Sequence, residues 1–231
     1  MTYFLDAFKE ALGLLLSFDE ELYGIIFLTL KVSLISLAIS SALGIPLAGF
    51  LFMKKFPGRN IIHNIINTFM GLPPVVVGLF VYIMLSNQMG LFGDLKLLFT
   101  PVAMIIAQTL LALPIVIGLT HAALISLDEL IIKTSITMGA SNLQLFITIL
   151  KEARYGIATA VITAFGRLMA EVGAVMMVGG NVRYQTRVMT TAIALHKGMG
   201  EFQTALALGF ILLILSFIIN YFLQFLKGRR V

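Results

Sequence analysis

Arg167 and Glu171 are the only charged residues in an apolar stretch that runs from residue 156 to 178. Four positions apart, they would share one face of a continuous helix. Charges inside a membrane face protein or a water path, and pairing lowers the cost of burying them. The two residues therefore read either as a pore-lining or gating pair or as an ion pair that locks this helix to its neighbours. His63, with Asn64 and Asn67, and His121 stand near the ends of other apolar stretches. Neither has a second His, Cys or carboxylate at metal-ligand spacing, so both read as polar residues at helix ends. No nucleophile and base pair emerges, which leaves an enzyme without its machinery. The phosphate-binding pattern Gly-x-x-x-x-Gly-Lys-[Ser/Thr] does not occur, so any use of ATP and magnesium falls to a separate chain.

The elements that hold these residues must be membrane-spanning helices. Of 231 residues, 59% are hydrophobic and 12% charged, against roughly 25% charged in soluble domains, so polar groups are too few to cover a water-facing surface. Apolar blocks cover residues 22–53, 60–86, 101–125, 156–178 and 203–226. Each exceeds the roughly 20 residues that a spanning helix requires, which predicts an all-α integral membrane fold with five transmembrane helices. The first block is longer than needed and must tilt, kink near Gly44 and Pro46, or project into water. Residues 1–21 read as an N-terminal amphipathic helix lying on lipid, with Phe4, Phe8, Ala11, Leu12 and Leu15 at helical spacing and Asp6, Lys9 and Glu10 elsewhere. Residues 22–231 then form one transmembrane domain. The lack of cysteine excludes disulfides and thiolate metal sites.

Charge orients the chain. Lys54, Lys55, Arg59, Lys133, Lys151, Arg154, Lys227, Arg229 and Arg230 make nine basic residues on one side, against five on the other, Lys9, Lys96, Arg183, Arg187 and Lys197. The side with the excess is predicted to be cytoplasmic, with the N-terminus outside and the C-terminus inside. The net charge of +5 reflects this topology; no basic stripe interleaved with aromatics points to nucleic acid.

Two matching segments, Pro74-Val75-Val76-Val77-Gly78-Leu79 and Pro114-Ile115-Val116-Ile117-Gly118-Leu119, lie deep in separate spans. Proline removes a backbone donor and bends a helix, and glycine admits a close neighbour. Paired interruptions are tolerated at membrane depth beside protein or a watery cavity, so the chain reads as a passage pivoting near Pro73, Pro74 and Pro114. The cytoplasmic segment 126–155 is apolar at helical spacing, with a turn at Gly139-Ala140-Ser141-Asn142. It suits either a protein partner or the lipid interface. The outer segment from Gly179 to Phe202 carries Asn181, Arg183, Arg187, His196 and Lys197. It reads as a cationic mouth that would concentrate anions or as a solvated loop touching lipid phosphates.

Gly139, with Ile149 ten residues later, resembles the coupling loop of permease subunits of ABC importers, although Lys133-Thr134-Ser135 stands where that family has Glu-Ala-Ala and Lys151-Glu152 where it has Leu-Pro. The resemblance implies that Lys133, Thr134, Ser135, Gly139, Ala140, Ser141 and Ile149 form the ATPase-coupling segment. The run from Gly166 through Arg167, Glu171 and Val172 to Gly179-Gly180-Asn181, with Thr186-Arg187-Val188-Met189-Thr190-Thr191-Ala192-Ile193, resembles the sulfate, molybdate and tungstate branch of these permeases, and the tungstate type most. It implies a type I importer permease that works as a homodimer on two ABC ATPase subunits, which bind ATP and magnesium. An extracytoplasmic oxyanion-binding protein would feed it in a prokaryotic cell membrane. Molybdate or sulfate import and ATP-independent anion transport are the alternatives, and a membrane enzyme or assembly factor is the remaining class.

Overall fold

The computed structural model describes residues 2–54, 56–88 and 90–227, and within them every regular element is helical. Lys55, Arg229 and Arg230, part of the basic excess, lie outside the described residues, as does the side chain of Lys227. The bundle is built on α2 (Glu20–Met53) and α5 (Pro101–Ile125). At 34 residues, α2 is about 51 Å long, roughly 20 Å more than the hydrocarbon core. Small residues on one face, Ser33, Ser36, Ser40, Gly44 and Ala48, are buried and let α5 approach closely. The hydroxyls of Ser36 and Ser40 donate to the Ile105 and Thr109 carbonyls, each at 3.2 Å. Since Gly44 lies against Val116 farther along both helices, α2 and α5 run parallel. The chain between them must return across the bundle.

That return is α3 (Arg59–Met70) and α4 (Pro74–Leu85), bent by 103° at Gly71–Pro73. After α5 come two short helices, α6 (Glu129–Thr137) and α7 (Asn142–Glu152), then α8 (Arg154–Met169) and α9 (Gly173–Gly179), bent by 59°. Gly156 of α8 lies against Ala123 and the Leu168 carbonyl against Gln108, so α8 is antiparallel to α5. The chain closes with α10 (Met189–Gly198) and α11 (Phe202–Lys227). Among the described residues, three helices are long and apolar enough to cross a membrane, and five crossings result if each bent pair makes one.

The residue 60–86 stretch, expected to be interrupted near Pro74, is two helices, and the 156–178 stretch, expected as one span without a break, is two as well. Pro114 departs from expectation the other way: α5 continues through it. The N-terminal helix α1 (Thr2–Leu16) packs along α11, with Ala7 and Ala11 buried while Phe4, Leu5, Phe8 and Leu12 stay exposed.

Candidate functional site

The two bends meet. A Cβ on Gly173, at the start of α9, would lie 2.8 Å from Val75 Cγ2, and one on Gly78 would lie 2.7 Å from the Ala174 Cα. The first break follows from local sequence. Pro74 pushes Pro73 out of the helical region, to φ −63° and ψ 122°, and Pro74 then serves as the first residue of α4, where its missing N–H costs nothing. The second break contains no proline. Glu171 holds it, buried, with its Oε1 accepting from the Ala174 N–H at 2.9 Å. A carboxylate there suits the positive end of α9. The Thr190 hydroxyl donates to the Glu171 carbonyl at 2.8 Å, fastening α10 to the same point.

Arg167 and Glu171 therefore do not form the pair that their spacing suggested. The helix ends between them, Glu171 turns inward to cap α9, and Arg167 is exposed. Among the described residues no ion pair involves Arg167. It continues an exposed stripe on α8 that includes Thr159 and Thr163. The depth of Arg167 follows from its neighbour Leu168, level with Gln108, about 10 Å in from the Pro101 end of α5. Side chains lean toward the N-terminus of their helix, so Arg167 leans away from the nearer membrane surface. Lys31, also exposed on α2, leans toward the near surface at Glu20 and can snorkel.

The outer segment is more buried than a cationic loop. Thr186, Val188, Met189, Thr190, Thr191 and Ala192 are all buried, and the Met189 N–H donates to Thr29 Oγ1 at 2.9 Å. Arg183 and Arg187 converge on Glu21 of α2. Arg183 donates through Nε and an Nη at 3.0 and 2.6 Å, and Arg187 through another Nη at 2.9 Å. The hydrogen bonds to Glu21, reinforced by its charge, raise the pKa of Arg183. The two arginines expected at a cationic mouth are thus matched by an acidic residue far off in the sequence. Asn181 stands near them in sequence at φ +52°, its Oδ1 buried without a partner among the described residues.

On the opposite side, Gly139 sits at φ +79° between α6 and α7 with open space around it. Ser141 opens α7 in a capping box with Gln144. Thr134 is exposed, Ala140 half-buried, Lys133 paired with Glu129 at 2.6 Å, and Ser135 bonded to the Ile131 carbonyl. The hydrogen bond between Lys133 and Glu129 raises the Lys133 pKa and lowers that of Glu129. Ile149 points the other way. It is 1% exposed and belongs to a core with Ala48, Leu51, Ile117 and Leu124, so it ties α7 to the bundle and cannot itself touch a partner. The exposed face carries Leu130, Ile136, Met138 and Leu143. His63 and His121, read as unconnected helix ends, have ring centroids 4.0 Å apart. Nothing in their spacing signalled this, because α3 folds back along α5.

Residues 40–231 match the model of the binding-protein-dependent transport system inner membrane component family. The chain belongs to that family. Among its relatives, the tungstate uptake system permease protein TupB of Peptoclostridium acidaminophilum is 43% identical over 220 residues, covering 95% of this chain and 96% of the relative. The protein of the same name in Campylobacter jejuni is 38% identical over 230 residues, covering 98% and 95%. The fold is that of a solved bacterial alginate ABC transporter in complex with an alginate-pentasaccharide-bound periplasmic protein, with a TM-score of 0.80 at 20% identity, over 99% of this chain and 87% of that one. This family member is accordingly an inner membrane transport component of ABC importer permease architecture.

Proposed function

We propose that this chain is the permease subunit of an ATP-driven tungstate importer, a homodimer served by two ABC ATPase subunits and an extracytoplasmic oxyanion-binding protein. The substrate rests on the tungstate permease relatives, which align over almost their whole length. Five crossings, with the N-terminus outside and the C-terminus in the cytoplasm, are supported by the parallel α2 and α5, which require one crossing between them, and by the basic excess on the α6–α7 side.

The observation that carries the mechanism is the exposed Arg167. A guanidinium at membrane depth with no ion-pair partner among the described residues does not face lipid. In a symmetric pair, Arg167, Thr163 and the adjoining bends would line a shared path, where two guanidinium groups meet a tetrahedral dianion through charge-assisted hydrogen bonds. The exposed apolar face of α6 and α7 is the expected ATPase contact. Phe146, beside Gly49 of α2, and Ile149, in a core shared with α5, would carry its movement into the bundle. Alternating access would then pivot at the Pro73–Pro74 break and the Glu171 break.

Reconstitution in liposomes tests the reading. ATP-dependent uptake of tungstate is expected only with ATPase and binding protein both present, with sulfate and phosphate as poor competitors; molybdate competition measures selectivity. Gly139→Val, strained at positive φ, should uncouple ATP hydrolysis from uptake while the protein stays folded, and Gly139→Asn should retain coupling. Uptake by this chain alone without ATP would make it a channel or secondary carrier.

A further inference from the structure

A cavity of about 450 Å³ lies between α3 and the last turns of α5, on the side of the bundle that carries α6 and α7. Its polar lining is Arg59, Asn60, His63 and Asn67 of α3 and His121 of α5. Three nitrogens of these residues, Arg59 Nε, His63 Nε2 and His121 Nε2, are buried without a hydrogen-bond partner among the described residues. His121 as a whole is 7% exposed. Buried polar nitrogens are rarely left unpaired, and all three of these belong to residues that line one cavity. The set consists of a guanidinium, two imidazoles and two carboxamides, and among the described residues no carboxylate lines the cavity. That chemistry selects an anion with several acceptor oxygens. Among the described residues no cluster of His, Cys, Asp and Glu could hold a metal ion. The start of the 12-residue α3, with Gly58 as N-cap and no side chain capping it, adds a positive helix end.

We propose that this cavity binds one tetrahedral oxyanion group, held by Arg59, His63 and His121, either a free oxyanion or the phosphate of a lipid head group. If the ion is the transported one, the cavity is a station on the release side, a clause that rests on the importer reading.

The test uses the full chain in phosphatidylcholine nanodiscs, without partners or ATP, and measures equilibrium binding of radiolabelled tungstate. A component of that binding is expected to weaken about tenfold or more in His121→Asn and Arg59→Gln and to stay unchanged in Lys9→Gln. His63→Gln, which keeps a polar side chain, and melting curves of each variant separate lost binding from lost folding. Adding phosphatidylglycerol distinguishes the sources. A head-group site would show displaced tungstate, and native mass spectrometry would find a lipid retained by the parent and not by Arg59→Gln. Binding of none of tungstate, molybdate, sulfate, phosphate or phosphatidylglycerol, or binding indifferent to His121 and Arg59, overturns the proposal; so does zinc binding in place of the anion. Uptake measured in parallel keeps the two readings apart. Uptake without such binding removes the site and leaves the importer, whereas binding with no ATP-dependent uptake removes the importer and leaves the site.

Discussion

The segments beginning at Pro74 and Pro114 share one pattern and have opposite outcomes. At Pro74 the chain turns through 103°, while at Pro114 α5 runs on. The difference lies in what precedes the proline. Pro74 follows a second proline, which lacks its own N–H, and Gly71, which ends α3, so helix cannot propagate into it. Pro114 follows Leu113 inside a helix gripped by α2 through Ser36 and Ser40, and tertiary packing outweighs the lost bond. A proline in a membrane helix is therefore a permission to bend, and its neighbours decide whether the bend occurs. The glycines of the two segments behave alike: Gly78 admits the α9 backbone and Gly118 admits the Met70 side chain.

Removing the doublet should blur the comparison most. Pro73→Ala/Pro74→Ala lets α3 continue into α4, and uptake should fall to background; spin-label distances across residues 64 and 80 should lengthen as the bend opens. Uptake unchanged in that variant would remove the 103° break from the mechanism. Glu171→Ala should come next. It leaves α9 uncapped and costs about 1–2 kcal/mol, read as a lower melting temperature, whereas Glu171→Gln keeps an acceptor and should lose less. Gly78→Ala presses a methyl onto the Ala174 backbone and should cost about 1–3 kcal/mol. The matched Gly118→Ala meets only the mobile end of Met70, and the helix propensity it gains, about 0.5–1 kcal/mol, should leave its melting temperature near the parent's. Equal costs at the two glycines would show that the close approach of α4 to α9 is not what holds the bends together.

Part of the site was legible in the residues. The Pro73–Pro74 break, the turn at Gly139 and the conspicuous Arg167 all depend on local chemistry, and the structure places each as a turn, bend or exposed charge. The second break was not legible, because a helix-compatible run, Ala170-Glu171-Val172, stops only where the Glu171 side chain finds the Ala174 N–H and Thr190 seizes its carbonyl. The pairing of Arg183 and Arg187 was hidden for a related reason. Both pair with Glu21, more than 160 positions away, which offsets one of their two positive charges, and periodicity carries no information about such a meeting.

By itself the sequence determined that this chain is a helical membrane protein, roughly where its apolar stretches lie, which side carries the excess of basic residues, and that one span must break at two adjacent prolines. These follow from composition, from the thickness of a bilayer and from covalent restrictions on the backbone, none of which needs a neighbour. Only the tertiary structure decided that Pro114 stays helical, that Glu171 caps α9 while Arg167 is left exposed, that Arg183 and Arg187 close on Glu21, and that His63 meets His121 beside a cavity that Arg59 also lines. Each of those is a competition between partners brought together by folding, and the winner depends on distances that the linear order of residues does not contain.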